Sequence, residues 1–291
     1  MKKIFRKCVS AAVAVLMAAS VVPTASFYAG ALENPGYARE IESSETTRIT
    51  TVKVSAADIE AYGASIAIQS ALYVAKDNAS ENNIYKVVVE KGSYVISRAL
   101  RIFSNTYLSL NGVTLTHDSG SVANIIRTGE VDSADSGAAG YNAYTNITID
   151  GGVLDGGGTK NTIIKLAHAT NITIINQTLS NITNGHIMEV AGVDGLTVKN
   201  CRFSDQILTG STEGYEAIQL DILVQQHFPT YRSEDLPMKN VLIENCNFEN
   251  CPRGIGTHTA ILNRPFDGVK IKNCTFDNMG SVAIQGMNWI N

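Results

Sequence analysis

A phrase that recurs along the chain constrains its fold more than any other feature. It reads Asn146-Ile-Thr-Ile-Asp150, Asn171-Ile-Thr-Ile-Ile-Asn176, Gly195-Leu-Thr-Val-Lys-Asn200, Asn240-Val-Leu-Ile-Glu-Asn245 and Gly268-Val-Lys-Ile-Lys-Asn273, with a weaker copy at Thr106-Tyr-Leu-Ser-Leu-Asn111. From residue 146 onward the copies start 25, 24, 45 and 28 residues apart. The long interval is one ordinary unit carrying about 20 inserted residues.

Within each copy apolar and polar residues alternate over about five positions, the period of a strand with one buried face. A second short strand follows the closing Asn, as in Asn200-Cys201-Arg202-Phe203, Asn245-Cys246-Asn247-Phe248 and Asn273-Cys274-Thr275-Phe276. A third comes some ten residues later. Its copies are Asn124-Ile-Ile-Arg127, Thr162-Ile-Ile-Lys165, His186-Ile-Met-Glu189, Glu216-Ala-Ile-Gln219, Arg253-Gly-Ile-Gly256 and Val282-Ala-Ile-Gln285. Three strands per unit of roughly 25 residues predict an all-β parallel β-helix, a solenoid whose coils hydrogen-bond to one another about 4.8 Å apart. Leucine-rich repeats have units of similar length, but their L-x-x-L-x-L frame is missing.

Asn suits the bends because it tolerates left-handed backbone and its amide can bond the backbone of the adjacent coil. The sequons at Asn146, Asn171 and Asn273 therefore read as repeat positions rather than glycosylation sites. Cys201, Cys246 and Cys274 share one repeat position and predict an inward column of free thiols, with Cys251 off it. Ahead of the coils, Ser55-Ala-Ala-Asp58 resembles a capping box, and Ile59, Tyr62, Ile66, Ile68 and Leu72 approximate a helical stripe. A capping helix is expected there, covering the first coil. The far end, Ala283-Ile-Gln-Gly-Met-Asn-Trp-Ile290, stops as if within a coil, so the chain reads as C-terminally incomplete.

Residues 1–31 read as a secretory signal, with Lys2, Lys3, Arg6 and Lys7 before an apolar stretch and Ala29-Gly30-Ala31 as the cleavage site. Cleavage takes 23 basic and 27 acidic residues to 19 and 27, a net charge of −8. That balance argues against nucleic acid as a partner, and no later segment is apolar enough to span a membrane. The domain reading is a signal over 1–31, a linker over 32–54, a cap helix with the first coil over 55–100, and coils over 101–291. The expected product is secreted or associated with the cell surface, and monomeric.

The stretches Ile68-Gln-Ser-Ala-Leu72, Val87-Val-Val-Glu-Lys-Gly-Ser-Tyr-Val-Ile96 and Ser104-Asn-Thr-Tyr-Leu-Ser-Leu110, together with the N-x-T-I-x-N coils, resemble the pectate-lyase-like, or polygalacturonase-like, β-helix superfamily. The resemblance covers roughly residues 55–291. It implies a right-handed coil and, for most members, action on polysaccharide. The N-T-D, D-D and G-H-G signatures of polygalacturonases are absent, as is the acidic calcium cluster of pectate lyases. No metal and no cofactor are expected.

Aligning the third strands by Ile126, Ile164, Met188, Ile218, Ile255 and Ile284 superposes outward columns. One reads Arg127, Lys165, Glu189, Gln219, Gly256, Gln285. The next reads Gly129, Ala167, Ala191, Asp221, His258, Met287, and a third contains His186, Glu216 and Arg253. Glu189 and Asp221 then lie roughly 8 Å apart along the backbone, which admits the carboxyl spacing of about 6.5–9.5 Å in an inverting glycosidase. Glu189, Asp221 and His258 are the expected catalytic residues. His186, Glu216, Gln219, Arg253, Arg127 and Lys165 are expected to bind substrate, beside a wall formed by two insertions, 130–144 and 223–239. The second carries His227, Phe228, Tyr231 and Arg232, ring and donor types that can stack on and hydrogen-bond sugar, although Phe228 and Tyr231 could instead pin the loop to the coil. A polysaccharide lyase could use the same patch, with His258 as base oriented by Asp221 and Arg253 neutralising a uronate. The expectation is thus a secreted enzyme acting on polysaccharide. The alternative is a module that binds glycan or adheres to a surface without turnover. His117, His168 and the region of Glu213 are expected to be ordinary surface.

Overall fold

The structure is a computed structural model that describes residues 39–43, 47–121, 123–129, 138–210 and 215–291. The expected signal, residues 130–137 of the first insertion and Glu213 lie outside these residues.

The described chain winds into coils with three strand legs, and strands pair in parallel from each coil to the next. The first leg stacks Arg48–Val54, Asn83–Val89, Thr106–Ser109, Tyr144–Asp150 and the later repeat strands Lys239–Glu244 and Phe266–Lys272. The second stacks Gly92–Ile96, Val113–His117, Val153–Thr159, Thr178–Thr183, Arg202–Ile207, Asn247–Glu249 and Thr275–Asp277. The third stacks Leu100–Ile102, Ile126–Thr128, Glu216–Asp221, Arg253–Gly256 and Ile284–Gln285. Two strands, Ile164–Ile175 and Met188–Lys199, run unbroken through the third and first legs and join them into one sheet.

One residue in two on each leg faces a single core that includes Ile126, Ile164, Met188, Ile218 and Ile255, all wholly buried. Residues 48–54, within the stretch read as a linker, already belong to this solenoid. Thr50, Val52 and Val54 alternate inward, and the strand pairs in parallel with Asn83–Val89. Arg39–Ser43 pairs with it antiparallel on the other side.

The corners are built as the sequence implies. Asn146, Asn171, Asn176, Asn200, Asn245 and Asn273 all have positive φ, a conformation that costs most other L-residues about 1–2 kcal/mol. Their amides chiefly bond the equivalent side chain of the adjacent coil rather than its backbone. Asn171 donates to Asn146 at 2.8 Å, Asn146 to Asn105 at 3.0 Å, and Asn200 to Asn176 at 3.3 Å. Cys201, Cys246, Cys251 and Cys274 are free thiols.

The N-terminal helical region is two helices rather than one. Ala56–Tyr62 starts on a reciprocal capping box between Ser55 and Asp58 and ends at Gly63, whose φ of 78° turns the chain before Ala64–Asn78. The second helix buries Ile68 and Leu72 against the first strands. The Gln69 amide accepts from Arg101 N at 2.6 Å and donates to Arg101 O at 3.2 Å, so a helix side chain satisfies the backbone edge of Leu100–Ile102. Among the described residues no helix is long and apolar enough to cross a membrane.

Candidate functional site

The third leg carries the charged residues, and its register is the one the spacing predicts. Arg127 pairs with Lys165, Lys165 with Glu189, Glu189 with Gln219, Gln219 with Gly256 and Gly256 with Gln285. Ala191 stands beside Asp221, and Glu216 beside Arg253. Residues far apart in sequence thus become neighbours because parallel coils superpose equivalent positions.

The leg is covered, which the repeat did not foretell. Glu216–Asp221 is buried at all 6 positions, on both faces of the strand. Residues 222–238 fold back over it, with Phe228 and Tyr231 packed against Ala167, Ala191 and Leu223. Arg127 lies 4.5 Å above the Tyr231 ring and Lys165 4.3 Å above that of Phe228. These rings were candidates either to stack on sugar or to pin the loop. Both are buried with their faces taken, so they anchor the loop.

His117 and His168, expected on the surface, are also buried. His168 lies 2.9 Å from Gly140 O through Nδ1 and 3.0 Å from Arg232 O through Nε2, so one ring ties the two insertions together. The Tyr141 hydroxyl donates to Pro237 O at 3.0 Å and Gly140 N to the Glu234 carboxylate at 2.8 Å. The described parts of both insertions meet in this way beside the leg.

Each acid of the leg has found a base. Glu189 takes the Lys165 ammonium at 2.6 Å, and Lys165 also donates to His227 O at 2.7 Å. Asp221 is fully buried; its Oδ1 accepts from Ile222 N at 2.7 Å, and its Oδ2 from Gln219 Nε2 at 2.7 Å and His227 Nδ1 at 2.5 Å. Glu216, equally buried, lies 3.4 Å from Arg253 Nη1, 3.2 Å from His258 Nδ1 and 3.6 Å from His186 Nδ1.

The pairing differs from the expected one. His258 is oriented by Glu216 rather than by Asp221, and Asp221 instead holds His227. Gln219 bridges the two halves, because its Nε2 also donates to His258 Nε2 at 3.0 Å. His227 is the participant whose pairing with Asp221 the repeat did not predict. It lies in a loop, and only the loop's return path brings it against Asp221.

The electrostatics follow from this packing. The hydrogen bond to Glu216 raises His258 above the ordinary imidazole value, and burial opposes that rise. Burial pushes the Glu216 carboxyl up, but the His258 hydrogen bond and the nearby imidazoles outweigh it, so the group sits below its usual value and is ionised. Burial lowers His186 despite the attraction of Glu189 and Glu216. A buried carboxylate flanked by Arg253 and two imidazoles, with the side chains of His227 and His258 18% and 26% exposed, can grip an acidic group or move a proton at the surface.

Comparison with known proteins gives partial parallels. No family model matches the chain. It is 27% identical over 285 residues to the plasmin and fibronectin-binding protein A of Streptococcus pneumoniae, a match covering 85% of this chain and 39% of that protein. The chain therefore spans less than half the length of this relative. The solved structure of the S. pneumoniae surface protein and adhesin PfbA superposes with a TM-score of 0.67 at 24% identity, over 81% of this chain and 64% of that one. ORF18 of Geobacillus virus E2 gives a TM-score of 0.55 at 13% identity, over 76% and 48%. These likenesses to solved structures establish the fold.

Proposed function

We propose that this chain is an exported, surface-displayed β-helix module that binds an acidic extracellular polysaccharide along its third leg without turning it over. The observation that carries this reading is the state of the two carboxylates. An inverting hydrolase needs one carboxyl free to protonate the leaving oxygen and another open to an attacking water. Glu189 is ion-paired to Lys165, and Asp221 is buried with both oxygens engaged. The streptococcal relative, named for binding plasmin and fibronectin, supports binding over turnover and the cell surface over free secretion. The partly open donors, His186, His227, His258, Lys165 and Arg253, suit an acidic ligand. The right-handed winding of the pectate-lyase-like superfamily, and a role for the two helices in covering the first coil, belong to the same reading.

The test is calorimetric titration with a panel of neutral and acidic polysaccharides, read beside assays for new reducing ends and unsaturated products. Saturable binding to an acidic polymer without products, weakened at least tenfold in Lys165→Ala, is expected. Reducing ends that vanish in Asp221→Asn would establish the hydrolase instead. One observation favours a second reading, a lyase: the His258 ring is held by Glu216 and partly open to solvent, as a general base requires. Unsaturated products lost in His258→Ala would decide for it.

A further inference from the structure

We propose that Asp221, His227 and His258 form a binding site for a divalent first-row transition metal ion, with zinc the natural probe. It concerns two imidazoles that the proposed polysaccharide-binding face also uses, and its readout, zinc uptake, is separate from polysaccharide binding.

Two groups of side chains share His258. In one, His186, Glu216 and His258 each bring a donor atom within 4.8 Å of the others; in the second, Asp221, His227 and His258 do the same. The first is spoken for. Its carboxylate, Glu216, is already neutralised by the Arg253 guanidinium and engaged by His258 Nδ1, and His186 Nδ1 is turned onto the Glu216 backbone carbonyl rather than onto a carboxylate oxygen it could share with an ion.

The second group has the features of a metal centre. Its donors are one carboxylate oxygen and two imidazole nitrogens, a set suited to zinc and its neighbours rather than to calcium or magnesium. Ligands about 2.1 Å from a tetrahedral ion lie roughly 3.4 Å apart. These three donors lie within 4.8 Å of one another, and the 2.5 Å contact between His227 Nδ1 and Asp221 Oδ2 has to open as the ion replaces its proton. The carboxylate of Glu216 accepts the hydrogen bond from His258 Nδ1, which fixes the tautomer and leaves the Nε2 lone pair on the side where Gln219 Nε2 stands. That is the carboxylate–histidine support that metal-ligating imidazoles usually have, and it increases the basicity of the ligating nitrogen. Ile222 N likewise steadies Asp221 through Oδ1, while Oδ2, which accepts from Gln219 Nε2 and His227 Nδ1 in the metal-free arrangement, passes to the ion as the His227 proton moves off Nδ1.

Gln219 supplies a separate indication. Its NH2 group, the positive end of the amide dipole, stands between Asp221 Oδ2 and His258 Nε2. The point where a cation would lie thus already selects a positive group. Its Oε1, on a side chain about 1% exposed, has no hydrogen-bond partner, and rotating the amide turns that oxygen toward the same point as a fourth donor. The partly exposed His227 and His258 give the ion a path from solvent and leave a coordination position open to an oxygen ligand.

The test uses the full folded chain, stripped with chelator and titrated with zinc by calorimetry at neutral pH, with calcium as control. One zinc per chain is expected, with calcium silent, and cobalt substitution should give visible d–d bands of low-coordinate nitrogen and oxygen ligation. His227→Ala/His258→Ala should abolish saturable binding, His186→Ala should retain it, and Glu216→Gln should weaken it by about 10–100-fold. Circular dichroism and the thermal midpoint in chelator show whether each variant is folded. Folded wild type without saturable zinc uptake overturns the proposal, as does a folded double variant that binds like wild type. If the double variant fails to fold, the cobalt spectrum of wild type decides, and absence of the d–d bands overturns the site.

Discussion

The second leg and the third leg are made from the same coils and both stack like on like toward the core, yet the outer face of the second is largely exposed and that of the third is buried. On the second, like sits on like: Phe203, Phe248 and Phe276 stack with ring centroids 4.9 Å apart at each step. On the outer face of the third, Arg127, Lys165, Glu189, Gln219 and Gly256 follow one another, and no neighbour repeats. A solenoid gains stability from repetition because each coil offers the next the same surface. Where repetition stops and buried charges replace it, stability is not the gain, since a buried ion pair repays its desolvation only with near-complete hydrogen bonding. The difference marks which leg is scaffold and which is site.

The sharpest way to break this contrast is within the phenylalanine stack. Phe248→Ala removes the middle ring, which is 1% exposed, and should cost about 3–5 kcal/mol in denaturant unfolding. A loss near zero would mean the stack is ornamental. On the third leg, Glu216→Ala leaves the Arg253 guanidinium beside a cavity and should cost about 3 kcal/mol. Adding Arg253→Ala should recover much of that. If the leg were a merely solvated ladder, the single change would cost below about 1 kcal/mol and the second would restore nothing.

At the corners the effect is smaller. Asn171→Ala loses an amide donor to Asn146 and places Ala at a φ of 58°, for about 1–2 kcal/mol by the same unfolding measurement. The smallest expected effect lies in the acid limb. Burial pushes the Asp150 carboxyl up, but hydrogen bonds from Tyr107, Asn176 and Asn111 outweigh it and hold it below its ordinary value. Burial and the same carboxylate push the Tyr107 hydroxyl up to about 12. A carboxyl whose folded-state pKa is depressed adds stability that is present above its unfolded value and lost as pH falls through the folded one. Asp150→Asn should therefore flatten the loss of stability on acidification and, by removing part of what raises Tyr107, also lessen the loss at strongly alkaline pH, with little change in between, as thermal melts across pH would show.

Part of the site was legible in advance. Glu216 beside Arg253 and Lys165 beside Glu189 follow from the repeat alone, as does the Asp221 column. The partners of His258 and Asp221 were not legible, since Gln219 reaches both and His227 arrives from a loop of no fixed period. Phe228 and Tyr231 could be read either way, because an aromatic in an insertion has the same composition whether it faces ligand or packs its own loop, and the fold shows the latter.

The amino-acid order by itself determined the coils, their phase and the corners, because a period repeated over many units leaves parallel strands one register that buries every apolar face. Only the folded chain decided which charges pair, which rings are buried and which imidazoles stay open. Those outcomes depend on where an aperiodic loop lands and how far it excludes water, and distances of that kind are set by packing in three dimensions rather than by spacing along one.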